Sequence, residues 1–190
     1  MKALALASAA LLLALALSLH RLAGEYFSVH MAQHIVFVLV IPALVLLGLP
    51  ELPAIRIRAP LAWAAGIGSM LFWHIPAVFQ AAMMHPSLHI LEIVTLLAGG
   101  TVYWWPILSP ARLQPVPEAA AYLITSCMAC TAMGIAISFA PAPLYMHTRE
   151  DQQIGGLLMW VPCCLVYLTA TMAMFARWYG EERLAADERR

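Results

Sequence analysis

Ser28-Val29-His30-Met31-Ala32-Gln33-His34 opens an apolar run that ends near Gly48. Four positions separate His30 from His34, so on a helix both imidazoles leave one face, a turn apart. The device recurs at His85-Pro86-Ser87-Leu88-His89, at the mouth of another apolar run, with Glu92 a turn further in. Two such pairs at two helix entrances describe a divided metal site, provided that both entrances open on one side of a membrane.

That the chain is a membrane protein follows from its composition. Of 190 residues, 63% are hydrophobic and 11% charged, well beyond the apolar share of a soluble domain. Apolar runs near the 20 residues that cross a bilayer as helix fall at 3–19, 30–48, 61–83, 88–108, 119–139 and 154–178. Helix is the reading, because backbone in lipid must bond internally and the alternating pattern of barrel strands is absent. Prolines 50, 53, 86, 110, 115, 117, 141 and 143 punctuate the runs, while Pro42, Pro76 and Pro162 predict kinks inside them. The expected fold is all-α: a polytopic bundle of about six transmembrane helices in one domain over 1–180, followed by a charged cytoplasmic tail, 181–190. Met1-Lys2 and the Ala/Leu block after it look like a signal peptide. The block is long, however, and no small-x-small cleavage site precedes His20-Arg21, so it reads as a retained first helix.

A formal net charge of zero gives no sign of a nucleic-acid partner, but the distribution of charge sets an orientation. With six spans, Lys2, Arg56, Arg58, Arg112, Arg177, Arg183, Arg189 and Arg190 share one face, and only Arg21 and Arg149 the other. By the positive-inside rule both termini are cytoplasmic. His20, His30, His34, His74, His85, His89 and His147 then all fall on the outer side, with Met31, Met83, Met84, Met146, Met159, Glu92, Asp151 and Gln152.

Single histidines such as His20 and His147 read as interfacial residues. Paired histidines in a membrane are costly, and they face the bundle interior for a purpose. His30, His34, His85 and His89 are therefore the candidate metal ligands. His74 is either a further ligand or a buried hydrogen-bonding residue. Glu92 either ligates or accepts the second N–H of a ligating histidine and so fixes its tautomer, and the second role fits better. Imidazole suits zinc, copper and iron, whereas thioether sulfur selects Cu(I). Met31 and Met83-Met84 beside the histidines therefore favour copper, as Cu(I), with Met31 and Met84 as assisting ligands. The four cysteines fit neither a disulfide framework nor a zinc ribbon. Cys127, Cys130, Cys163 and Cys164 fall near mid-membrane, either as small apolar residues or as a deeper thiolate or redox site. In Asp151-Gln-Gln-Ile-Gly155-Gly156-Leu-Leu-Met159-Trp160, Asp151 reads as the cap of its own helix. Gly155 and Gly156 permit close helix approach.

These motifs resemble the membrane-integral CtaG-type cytochrome c oxidase assembly factors of bacteria. The resemblance rests on His30-Met-Ala-Gln-His34 with Pro42 to Gly48, His85-Pro-Ser-Leu-His89 with Glu92, Tyr103-Trp-Trp-Pro106, Asp151-Gln-Gln-Ile-Gly-Gly and Met159-Trp-Val-Pro162. They run in the family's order from about residue 28 to 170. The resemblance implies a bacterial inner-membrane protein that helps supply copper to a haem–copper oxidase, binding it through the outward histidines. The chain departs from that pattern in having six helices rather than seven, a short loop before Asp151, and Cys163-Cys164 where Gly-Gly is expected.

The leading expectation is thus a copper-binding assembly factor without catalytic turnover. Its partners would be the oxidase catalytic subunit, a periplasmic copper donor, the lipid bilayer and a second copy in a homo-oligomer. Three rivals are a bis-His haem b electron carrier, a non-haem iron enzyme of the hydroxylase type, and a structural oxidase subunit whose histidines only hydrogen-bond. The hydroxylase class ordinarily carries more histidines, including an HxxHH box that this chain lacks.

Overall fold

The computed structural model describes residues 1–110 and 116–187, with side chains through residue 183. Arg112, Pro115, Arg189 and Arg190, which enter the reading of turns and charge above, lie outside the described residues. Every described regular element is helical: α1 (Lys2–Ser18), α2 (His20–Glu25), α3 (Phe27–Gly48), α4 (Ala59–Trp73), α5 (Pro76–Met84), α6 (Pro86–Leu108), α7 (Val116–Ser138) and α8 (Arg149–Asp187). Helices α3, α6, α7 and α8 are each long and apolar enough to cross a membrane, and α4 with α5 supplies a fifth, broken span. The remaining apolar run is the shorter α1, of 17 residues.

The break between α4 and α5 has a local cause. Pro76 cannot donate to a preceding turn and disfavours helical backbone at the residue before it. Ile75 is accordingly extended (φ −64°, ψ 122°), and the two helices meet at 75°. His74 is left at the end of α4, where its carbonyl is free for another partner. The expected kink is thus a full corner, and a histidine sits on it.

Helix α6 is the post around which α3 and α4 pack. Its Gly99-Gly100 pair faces the Ala65 carbonyl of α4 on one side and the Val38 carbonyl of α3 on the other, each closer than a Cβ would allow. Both carbonyls belong to widened π-helical turns, Val36–Val40 and Ala64–Gly68. The first runs directly into Pro42, whose missing N–H would leave an α-helical ladder one bond short. The wide turns and the paired glycines therefore match. On the far side, Gly134 of α7 and Gly156 of α8 meet backbone to backbone, while Gly155 receives Phe27 and Met31 of α3. This is the close approach that small residues permit in membrane bundles.

Helix α8 packs along α7 and presents Ile154, Leu157, Val161, Leu165, Leu168 and Met172 outward at helical spacing. A stripe of that kind suits lipid. Its 39 residues span roughly 58 Å, well beyond the roughly 30 Å hydrocarbon layer. At the opposite end from the histidines, Lys2 Nζ donates to the Pro50 carbonyl (2.7 Å) and Trp105 Nε1 to that of Ile55 (2.9 Å). The start of the chain thus lies at the far end of the bundle from the histidine-bearing helix mouths.

Candidate metal centre

Glu92 lies on the second turn of α6, fully buried, and three imidazoles converge on its carboxylate. His34 Nε2 is 3.0 Å and His30 Nε2 3.4 Å from Oε1, while His89 Nδ1 is 2.9 Å from Oε2. His30 and His34 come from α3 at the four-residue spacing, and His89 and Glu92 from α6 at three. The seam between α3 and α6 that Gly100 permits is what joins the two motifs. Among the described residues Glu92 pairs with histidines and with no lysine or arginine. His30, His34 and Glu92 each offer a ligand atom within 4.8 Å of the others, close enough to hold one metal ion.

Two ring nitrogens decide what this cluster fits. His30 Nδ1 and His34 Nδ1 are buried and have no hydrogen-bond partner. A neutral imidazole that gives Nε2–H to a carboxylate presents a bare lone pair at Nδ1. An unpaired buried acceptor of this kind costs about 1–3 kcal/mol, unless something electron-deficient takes it up. A carboxylate behind the rings with bare nitrogens in front is the arrangement of a metal-binding histidine and its orienting acid.

His74 adds a second type of donor. Its Nδ1 lies 2.6 Å from the Met70 carbonyl, which can only accept, so Nδ1 carries the proton and the neutral ring's Nε2 is bare. Nε2 faces Met31 Sδ at 3.1 Å. Neither atom can donate to the other, so nitrogen and thioether lone pairs oppose each other beside His34, whose ring centroid is 5.0 Å from that of His74. The Pro76 corner holds His74 in place, and its carbonyl accepts from Tyr145 Oη at 2.7 Å. His74 is thus a buried residue hydrogen-bonded through Nδ1, with Nε2 open toward Met31.

His85 and Met84 do not join the group. His85 precedes α6 as its N-cap and is exposed, and Met84 is 72% exposed. The three-residue step from His89 to Glu92 points inward on α6, whereas His85 belongs to the turn outside it. The expected four-histidine set is thereby corrected: His30, His34 and His89 meet around Glu92, and His85 stays outside. His20, read as an interfacial residue, instead lies beside the site. Its ring is 5.1 Å from that of His89, and both line a cleft of about 210 Å³ together with Arg21, His30 and Met83. The cleft therefore reaches His30 and His89 of the cluster. No local spacing in the sequence ties residue 20 to residue 89.

The roof is aromatic. Tyr145 stacks on Phe27 (centroids 4.4 Å apart) and meets Phe79 at 4.8 Å, and Phe79 stands 5.0 Å from His30. Gln152 pins the 140–148 loop by accepting from Leu144 N and Tyr145 N, and it donates to the Ile137 carbonyl. Its amide is thereby spent on the roof rather than on the histidines. Asp151 corrects a further expectation. It caps α3 rather than its own helix, accepting from Phe27 N, Ser28 N and the Ser28 hydroxyl, while the Thr148 hydroxyl accepts from Asp151 N. The extra cap starts α3 three residues before His30. Gln33, between His30 and His34, donates to the Ala16 carbonyl at 2.6 Å and fastens α1 to α3.

No curated protein and no solved structure matches the chain. The family model of the cytochrome c oxidase caa3 assembly factor (Caa3_CtaG) matches residues 3–181, which reach into every described helix. The chain with its histidines gathered at one end of an all-helical membrane bundle therefore belongs to the cytochrome c oxidase caa3 assembly factor family.

Proposed function

We propose that this assembly factor binds copper at the histidine end of the bundle and passes it to a haem–copper oxidase by ligand exchange, without catalytic turnover. The observation that carries the proposal is the convergence of His30, His34 and His89 on Glu92, with the Nδ1 atoms of His30 and His34 left bare. His30 and His34 would hold the ion through Nδ1 while Glu92 orients their rings, His89 would admit it from the cleft, and His74 with Met31 would supply the softer donors that select Cu(I) over zinc. A buried carboxylate among neutral rings favours a cation, and the open cleft favours release. Rings whose centroids stand 4.5–5.5 Å apart leave no room for a porphyrin between them, which favours a small ion over a haem.

The same proposal places the protein in the bacterial inner membrane with both termini cytoplasmic and the cleft facing outward. Support comes from the eight-to-two bias of basic residues and from the start of the chain lying at the end away from the histidines. Metal analysis of the detergent-purified protein tests the reading. We expect about one copper per chain in a histidine-dependent site, lost in a His30→Ala/His34→Ala variant, and a fall in oxidase copper content in cells carrying that variant. Unchanged copper in both measurements overturns it.

A further inference from the structure

Far from the histidines, α7 and α8 bring four thiols together in two cross-helix pairs. Cys127 Sγ and Cys164 Sγ are 3.0 Å apart, and Cys130 hydrogen-bonds to Cys163 one turn away. All four are free. The pairing follows from the sequence once the helices are in register: Cys127-Met-Ala-Cys130 puts two thiols a turn apart on α7, and vicinal Cys163-Cys164 meets both from α8. Hydroxyls lie beside both pairs, with Thr131 Oγ1 3.1 Å from Cys164 Sγ and Tyr167 Oη 3.8 Å from Cys130 Sγ. Cys130 and Cys163 are buried in the helix interface, whereas Cys127 and Cys164 are half-buried. Cys127 lines a groove of about 400 Å³ on the outer face of α7 and α8 with Thr131 and Tyr167.

We propose that Cys127 and Cys164 form a second soft-metal site, a two-thiolate seat for Cu(I) set between α7 and α8. Thiolate is the ligand that most strongly favours Cu(I), and two thiols on facing helices suit its low coordination number. With metal–sulfur bonds of about 2.3 Å, a linear two-coordinate seat requires the two sulfurs, now 3.0 Å apart, to separate by roughly 1.6 Å. Cys127, which lines the groove, can do this by side-chain rotation into it, whereas Cys130 and Cys163 are buried in the helix interface. On binding, two S–H bonds break and two copper–sulfur bonds form. The two protons pass to the donor ligands that copper leaves, and no electron moves, because copper enters and stays as Cu(I). The seat then carries one negative charge, which the Thr131 hydroxyl next to Cys164 can solvate where water cannot reach. Gln152, which pins the roof over the histidines, and Cys164 are both on α8, roughly 18 Å apart along the axis. The thiol seat is thus a reservoir separate from the histidine centre, and it does not depend on that centre being a copper site.

The experiment is an anaerobic Cu(I) titration of the full-length protein in detergent against a chromophoric Cu(I) chelator. The wild type is compared with Cys127→Ser/Cys164→Ser and with His30→Ala/His34→Ala. We expect the serine variant to lose one Cu(I) equivalent, together with the ultraviolet thiolate-to-copper charge-transfer absorption, and to melt at the wild-type temperature. The alanine variant should keep both the equivalent and the absorption. Cys164→Ala alone should weaken that equivalent at least tenfold, which separates loss of a ligand from loss of fold. Full Cu(I) binding with unchanged absorption in the serine variant overturns the site. So does absence of that absorption in the alanine variant, or a Cys127–Cys164 disulfide in protein isolated under reductant. Failure of the histidine centre alone appears as loss of the other equivalent, leaving the thiol signal intact.

Discussion

Asp151 on α8 accepts a 2.6 Å hydrogen bond from the backbone N–H of Phe27, the first residue of α3. The two residues are 124 positions apart, so the cap that starts the histidine-bearing α3 is supplied from far along the chain. It also places a negative charge at the positive end of α3, one turn before His30. Replacing Asp151 by Ala removes three hydrogen bonds at once. We expect a loss of about 1–2 kcal/mol, read as a lower melting temperature in detergent and as faster amide exchange confined to residues 27–30.

Glu92 holds three rings in orientation, so its replacement should disturb the site more than that of any one histidine. Glu92→Gln leaves an amide that can accept from one imidazole but turns its NH2 toward another. We expect bound copper to fall at least tenfold while the bundle still forms. Glu92→Ala strands the ring N–H groups, at a cost of about 1–3 kcal/mol for each that finds no other partner. Metal content and melting temperature, measured on the two variants side by side, separate the two effects.

The two histidines of the second motif should behave differently. His89→Ala removes a ring that bonds to Glu92 and lines the cleft. His85→Ala and Met84→Leu remove exposed groups that do not touch the cluster. We expect copper affinity to drop severalfold or more in the first variant and to stay within about twofold in the other two. Equal losses at positions 85 and 89 would contradict the geometry.

Gly100 stands where the Val38 carbonyl leaves no room for a Cβ, whereas at Gly68 a Cβ would lie 3.9 Å from Ala64 Cβ, an ordinary contact. Gly100→Ala should therefore separate α6 from α3, pull His89 and Glu92 away from His30 and His34, and cost about 1–3 kcal/mol or more. Gly68→Ala should be neutral or mildly stabilising, since alanine is the better helix former by about 1 kcal/mol. Melting curves and copper content check both.

Tyr145 supports the Pro76 corner through its bond to the His74 carbonyl. Burial pushes its phenol up to about 12, so the group remains a donor throughout the neutral range. Tyr145→Phe keeps the stack on Phe27 and removes only the O–H. The expected loss is about 0.5–1.5 kcal/mol. A change in the metal's ligand field, measured by X-ray absorption, should accompany it, because His74 would no longer be held at the corner.

Periodicity and composition sufficed for much of this protein, because a helix in lipid must close its own backbone bonds and so writes its length directly as an apolar run. The runs, the break at Pro76 and the shared face of His30 with His34, and of His89 with Glu92, are local consequences of spacing. What local spacing could not supply is which faces meet. Gly99 and Gly100 seat the two π turns, and only that fit brings Glu92 of α6 between the histidines of α3. His20 reaches His89, Asp151 caps Phe27 and Cys127 finds Cys164 through contacts between segments far apart in the chain. His85, by contrast, repeats the HxxxH spacing and yet stays outside, since α6 begins one residue after it. The candidate donor side chains, and their collection toward one end of the bundle, were fixed by the chain itself. The choice of which of them share one centre came from helix packing, where a single missing Cβ sets how closely two backbones can approach.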